Sequence, residues 1–107
     1  MDDARIKEMV LEALHAAPDG YRSLVRDMAA AHPDLPARAL EMALLSAARD
    51  MDTQIRHAGD PTDEARTARR LAVLLSMDID RVPQGEAATL GDLRIYWIER
   101  DDFFLRL

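Results

Sequence analysis

The sequence predicts an α+β domain that is mostly α: a four-helix body followed by a C-terminal antiparallel β-hairpin. Three observations carry that expectation. Apolar residues recur at helical spacing through most of the chain. Proline, glycine and aspartate interrupt that pattern at a few sharp points. The last fifteen residues, Leu93 to Leu107, hold every aromatic residue except Tyr21 and alternate with a period of two.

The first helix is expected over about 3–17. Ile6, Met9, Val10, Ala13 and Leu14 follow the spacing of a one-sided amphipathic helix, and Asp2 and Asp3 lie where a helix N-terminus favours negative charge. Pro18-Asp19-Gly20 reads as a turn. The second helix, about 21–32, repeats the template with Tyr21, Leu24, Val25, Met28 and Ala29. It ends at His32-Pro33, because a residue before proline is pushed out of the α region. Asp34 or Leu35 caps a third helix over about 36–58, with Pro36 in its first turn and Gly59 past its end. Asp60-Pro61 opens the fourth, about 61–78, with Asp63 and Glu64 in the first turn. Within it Leu71-Ala72-Val73-Leu74-Leu75 is apolar nearly all round, so burial on several sides is expected.

Val82-Pro83-Gln84-Gly85 starts a loop that runs to about Gly91. Leu93, Ile95 and Trp97 then alternate with Arg94, Tyr96 and Ile98. The two strands are placed at about 92–98 and 103–107, with Glu99-Arg100-Asp101-Asp102 as the connecting loop. Leu93, Ile95 and Trp97 are the expected inward face, which leaves Tyr96, Ile98 and Phe104 for a second face. A two-stranded hairpin is marginal alone and has open edges, so it must pack on the helices, pair with a second copy or accept a partner's strand. The helices are expected to cover one face, with a homodimer left open.

At 107 residues and 12.0 kDa the chain is one domain, 1–107, with enough apolar residues (49%) for one small core. It has no run of about 18 apolar residues and starts acidic, so neither a membrane span nor a secretory signal is expected. With no cysteine, disulfides and thiolate metal sites are excluded, and a cytoplasmic protein is the simplest expectation. The net charge of −6 opposes non-specific nucleic-acid binding and suits a basic protein partner.

No phosphate loop, dinucleotide fingerprint, zinc-protease helix or nucleophile elbow occurs, and no catalytic residue, cofactor or metal is expected. His15, His32 and His57 fall near three separate helix ends. Asp78-Ile79-Asp80 begins like a calcium loop, but Val82, Pro83 and Thr89 occupy positions that need an oxygen ligand, a glycine and a glutamate. Asp50-Met51-Asp52 fails in the same way at Ile55 and Pro61, and both pairs are read as solvated carboxylates.

Two features stand out. On the third helix Arg38, Met42, Leu45, Arg49 and Arg56 share one stripe opposite the main apolar face. They either meet a partner or lie under the aromatic tail. On the fourth, Arg66 and Arg70 stand one turn apart with Arg69 between them. They could hold an anion, although Asp63 is spaced for local pairing.

The expected function is therefore a small acidic, non-enzymatic protein–protein interaction module, such as an adaptor, inhibitor or regulatory subunit. Arg38, Met42, Leu45, Arg49, Arg56, Tyr96, Ile98 and Phe104 are its partner-binding candidates. An alternative comes from the first 58 residues and the tail. Three helices with a proline-containing turn between the second and third, and a terminal hairpin, resemble a winged helix-turn-helix, which implies a DNA-binding transcriptional regulator. The chain departs from that pattern in its fourth helix and in Glu41, Asp50 and Asp52 on the would-be recognition helix. A third reading puts a small-ligand pocket between tail and helices, lined by Tyr96, Trp97 and Phe104.

Overall fold

The computed structural model describes residues 2–16, 20–54 and 63–107. Among them are six α-helices and no strand: α1 (Asp3–His15), α2 (Gly20–Ala31), α3 (Ala37–Gln54), α4 (Asp63–Arg81), α5 (Leu90–Glu99) and α6 (Phe103–Arg106). A 3-10 turn (Gly85–Ala87) precedes α5. The four expected body helices are present within a few residues of their predicted bounds. The Pro18-Asp19 half of the first turn, and Gly59, Asp60 and Pro61 between α3 and α4, lie outside the described residues, as does His57.

The β-hairpin is not there. Its first strand is helix α5 and its second is the single turn α6. Two local causes outweigh the period-two pattern. Thr89 and Asp92 form a capping box, in which the Thr89 hydroxyl accepts from Asp92 N at 3.2 Å and the Asp92 carboxylate accepts from Thr89 N at 3.0 Å. Leu90, Leu93 and Trp97 then fall at i, i+3 and i+7 and are all buried, whereas Ile95, placed on the inward face by strand alternation, is 56% exposed. Strand-mediated pairing with a second copy and the wing of the winged-helix resemblance both fall with the hairpin.

The tail does complete the core, as helix. The Trp97 and Phe104 rings lie 5.0 Å apart at 46°, and both side chains are buried where α5 and α6 pack on α2. The α3 helix is central, packing along α4 and against α1. Ala47 and Ala48 on α3 and Ala65, Ala68 and Ala72 on α4 are buried small residues that let the two helices approach closely. They run antiparallel: Arg38 near the start of α3 donates to Ser76 late in α4 at 3.2 Å, and Asp52 near the end of α3 pairs with Arg69 early in α4.

A main-chain seam joins the α2–α3 corner to the start of α5. Leu90 N donates to Leu35 O (2.9 Å), Gly91 N to Pro33 O (2.9 Å) and Ala37 N to Ala88 O (2.9 Å). With the capping box, the free N–H groups of the first turn of α5 are all satisfied within the chain. A Cβ on Gly91 would stand 3.0 Å from the Pro33 carbonyl oxygen and 3.2 Å from its Cβ. Alanine normally stabilises a helical position relative to glycine. Here Gly91→Ala is expected to destabilise by about 1–3 kcal/mol through overpacking. Urea denaturation measures it, and a gain in stability would show that the seam yields at no cost.

Candidate functional site

Of the arginine–methionine stripe on α3, Arg56 lies outside the described residues and the other four take different roles. Arg38 is half-buried and engaged. Its Nε donates to Glu86 at 3.0 Å, and its terminal nitrogens reach Glu86, the buried Glu41 and Ser76. Those bonds, the one to Glu86 first and to Glu41 second, hold the guanidinium pKa above its ordinary value. Arg38 is thus a brace between α3, α4 and the 3-10 turn. Met42 is 57% exposed, Leu45 is half-buried and Arg49 is exposed. The aromatic tail does not cover them, since it packs on α2 instead.

The neighbouring helix supplies a matching stripe that the sequence reading did not single out. Arg66, Arg70, Val73, Met77 and Asp80 fall at i, i+4, i+7, i+11 and i+14, within about 40° of one direction. Val73 is 58% and Met77 42% exposed, although the Leu71–Leu75 run suggested burial on several sides. Leu45 links the two helices: it lines one groove of about 480 Å³ with Met42, Ala39 and Lys7 and another of about 230 Å³ with Val73, Ser76 and Met77. The signal was present in the sequence, as the same helical stripe applied to α4, but the unbroken apolar run obscured it.

Charge is sorted along this face. On the stripe where α3 ends and α4 begins, Arg49, Arg66, Arg69 and Arg70 outnumber Asp52 and Asp63 among the described residues; Asp50, paired with Lys7 of α1, and Glu64, on the far side of α4 from Arg66, lie off it. Asp63 pairs with Arg66 at 3.7 Å, as its spacing suggested, and Arg69 pairs across to Asp52. At the other end Glu41, Glu86 and Asp80 outnumber Arg38, while Arg81 turns away to Asp78 and Asp101.

The tail candidates do not form one surface. Phe104 is in the core, so it is not available to a partner in this fold. Ile98 is exposed on α5. Tyr96 is half-buried and lines a cleft of about 650 Å³ with Ile95, Val82, Pro83, Arg81 and Arg100. The pocket imagined among Tyr96, Trp97 and Phe104 is filled by the two buried rings themselves.

The carboxylate pairs also need correction. Asp80 is exposed, but Asp78 is buried and accepts from Trp97 Nε1 at 2.9 Å. Arg81 Nη1 lies 3.5 Å from Asp78 and 3.8 Å from Asp101. Burial, reinforced by Asp101, raises the Asp78 pKa above the usual carboxylate value against the opposing Trp97 bond and Arg81 charge. Asp50 pairs with Lys7, and Asp52 with Arg69. His15 and His32 sit at the ends of α1 and α2. No group of three or more metal-binding side chains occurs among the described residues. Among the described residues, no helix is long and apolar enough to cross a membrane.

No protein-family model, no curated protein and no solved structure matches this chain.

Proposed function

We propose that the chain is a protein–protein interaction module whose working surface is the outer face of α3 and α4. One observation carries the reading. Met42, Val73 and Met77, with the half-buried Leu45 between them, form a continuous apolar strip on two helices whose other faces are buried in the core. Methionine and arginine are enriched at interface centres, and an apolar strip flanked by charge is the usual form of such a surface. On α5 the exposed apolar residues are the neighbours Ile95 and Ile98, a two-residue patch on one helix.

A photo-crosslinking residue placed at Met42 or Val73 is expected to give discrete adducts in cells. The same residue at Glu12 or Arg94, exposed on α1 and α5, is expected to give none. Leu45→Asp should abolish the adduct at Val73 while leaving the helical circular dichroism unchanged. Equal crosslinking at all four positions, or none at Met42 and Val73, would overturn the assignment of this face.

A further inference from the structure

We infer that the occupant of the α3–α4 face is a second copy of this chain, docked about a two-fold axis lying in the interface and perpendicular to both helices. The inference rests on the assignment of that face and names its partner.

The charge order selects both partner and axis. The face is basic at one end, apolar in the middle and acidic at the other. A two-fold parallel to the helices would lay each charged end on its equal. A two-fold across the helices reverses one copy, so the basic end of each meets the acidic end of the other. Any other protein would need the same three zones in the same order, whereas a second copy carries them by construction.

The residue spacing on α4 fits this operation. Reversing the helix about a point midway between Val73 and Met77 sets Val73 of one copy against Met77 of the other. The same reversal sets Arg70 against Asp80, because both pairs are centred on position 75. On α3 a centre between Met42 and Leu45 sets those two side chains against each other and sets Arg49 against Arg38, whose single charge is outweighed by the Glu41 and Glu86 carboxylates paired to it. The product is an antiparallel four-helix bundle made of α3 and α4 from each copy, in which every adjacent pair of helices is antiparallel. Eighteen residues of α3 give a face about 27 Å long. Two helices at roughly 10 Å spacing make it about 20 Å wide. That projects to roughly 500 Å² per partner, below the roughly 600–1,000 Å² per partner of a standard specific interface and in the range of weak, transient ones, so association no tighter than micromolar is expected.

The test is sedimentation equilibrium of the full chain from low micromolar to about 500 µM, the range over which an affinity of this order shows. Mass should rise from 12.0 kDa towards twice that value. Arg70→Glu and Asp80→Arg should each weaken association by about tenfold or more, since each places two like-charge pairs in the interface. The double variant Arg70→Glu/Asp80→Arg should recover most of the loss, because the reversed charges again oppose each other across the axis. The chain has no native cysteine, so Val73→Cys mixed with Met77→Cys should also give an oxidised cross-linked dimer that Ile98→Cys does not. A monomer at the highest concentration, or a double variant no better than the singles, overturns the inference. The two proposals fail differently: adducts at Met42 and Val73 to a different protein, with the purified chain monomeric, remove the second copy and keep the face. Absence of any face-specific adduct removes both.

Discussion

Phe104→Ala is expected to lower the unfolding free energy by about 3–5 kcal/mol, a large share of the roughly 5–15 kcal/mol that holds a small domain together. The Phe104 side chain is 1% exposed and meets Trp97 on one side and the Phe103 ring, at 5.4 Å and edge-on, on the other. The four-residue α6 is far too short to persist alone, so its position depends on this one buried ring and on its docking against α2 and α5. Truncation is therefore expected to release α6 as well as leave a cavity. Denaturant unfolding gives the energy, and the emission of Trp97, the single tryptophan, reports whether its indole becomes wet. A loss under about 1 kcal/mol with unshifted emission would mean that the tail is not part of the cooperative core.

Asp78→Ala should cost about 1–3 kcal/mol by leaving the buried Trp97 N–H without an acceptor. Asp78→Asn keeps an acceptor oxygen and should cost less at pH 7. Its more informative effect is on pH dependence. In the unfolded chain Asp78 releases its proton near 3.8, whereas in the fold burial holds the proton to higher pH, with Arg81 and Asp101 the charged groups beside it. Between those two values the native state binds the proton that the unfolded state has lost. This group's contribution to stability therefore falls as pH rises through the folded pKa. Relative to the wild type, Asp78→Asn should gain stability as pH rises from about 4, then level off above the raised pKa. Melting temperatures of both proteins across that range measure the difference. A constant gap would mean that Asp78 titrates normally.

Much of the helical body could be read from local chemistry. Asp2, expected only to suit the charge of the helix N-terminus, also caps α1, accepting from Arg5 N at 2.8 Å, and the α2 chain turns at His32-Pro33 as proline geometry requires. The tail is ambiguous in sequence because Leu93 and Trp97, four residues apart, fit both a strand face and a helix face, and Ile95 between them fits the strand alone. The arbiter was Thr89-Leu90-Gly91-Asp92, a capping box with aspartate where glutamate is more usual, inside a stretch that looked like loop. Burial of Asp78 could not be seen, because its partner lies nineteen residues away and depends on α5 being helical. Half of the candidate face was legible as the α3 stripe. The α4 half was hidden because Val73 sits among residues that truly are buried, and only the antiparallel pairing of the helices brings it beside Leu45.

The seam between the α2–α3 corner and α5 is written almost entirely in peptide groups. Such a joint does not depend on which side chains flank it, so the exposed Asp34 or Ala87 could be exchanged without removing one of its hydrogen bonds. What it demands is shape: prolines that hold the corner and a residue without a Cβ at Gly91. Two stretches far apart in the sequence are thus registered to each other by geometry that leaves little trace in composition.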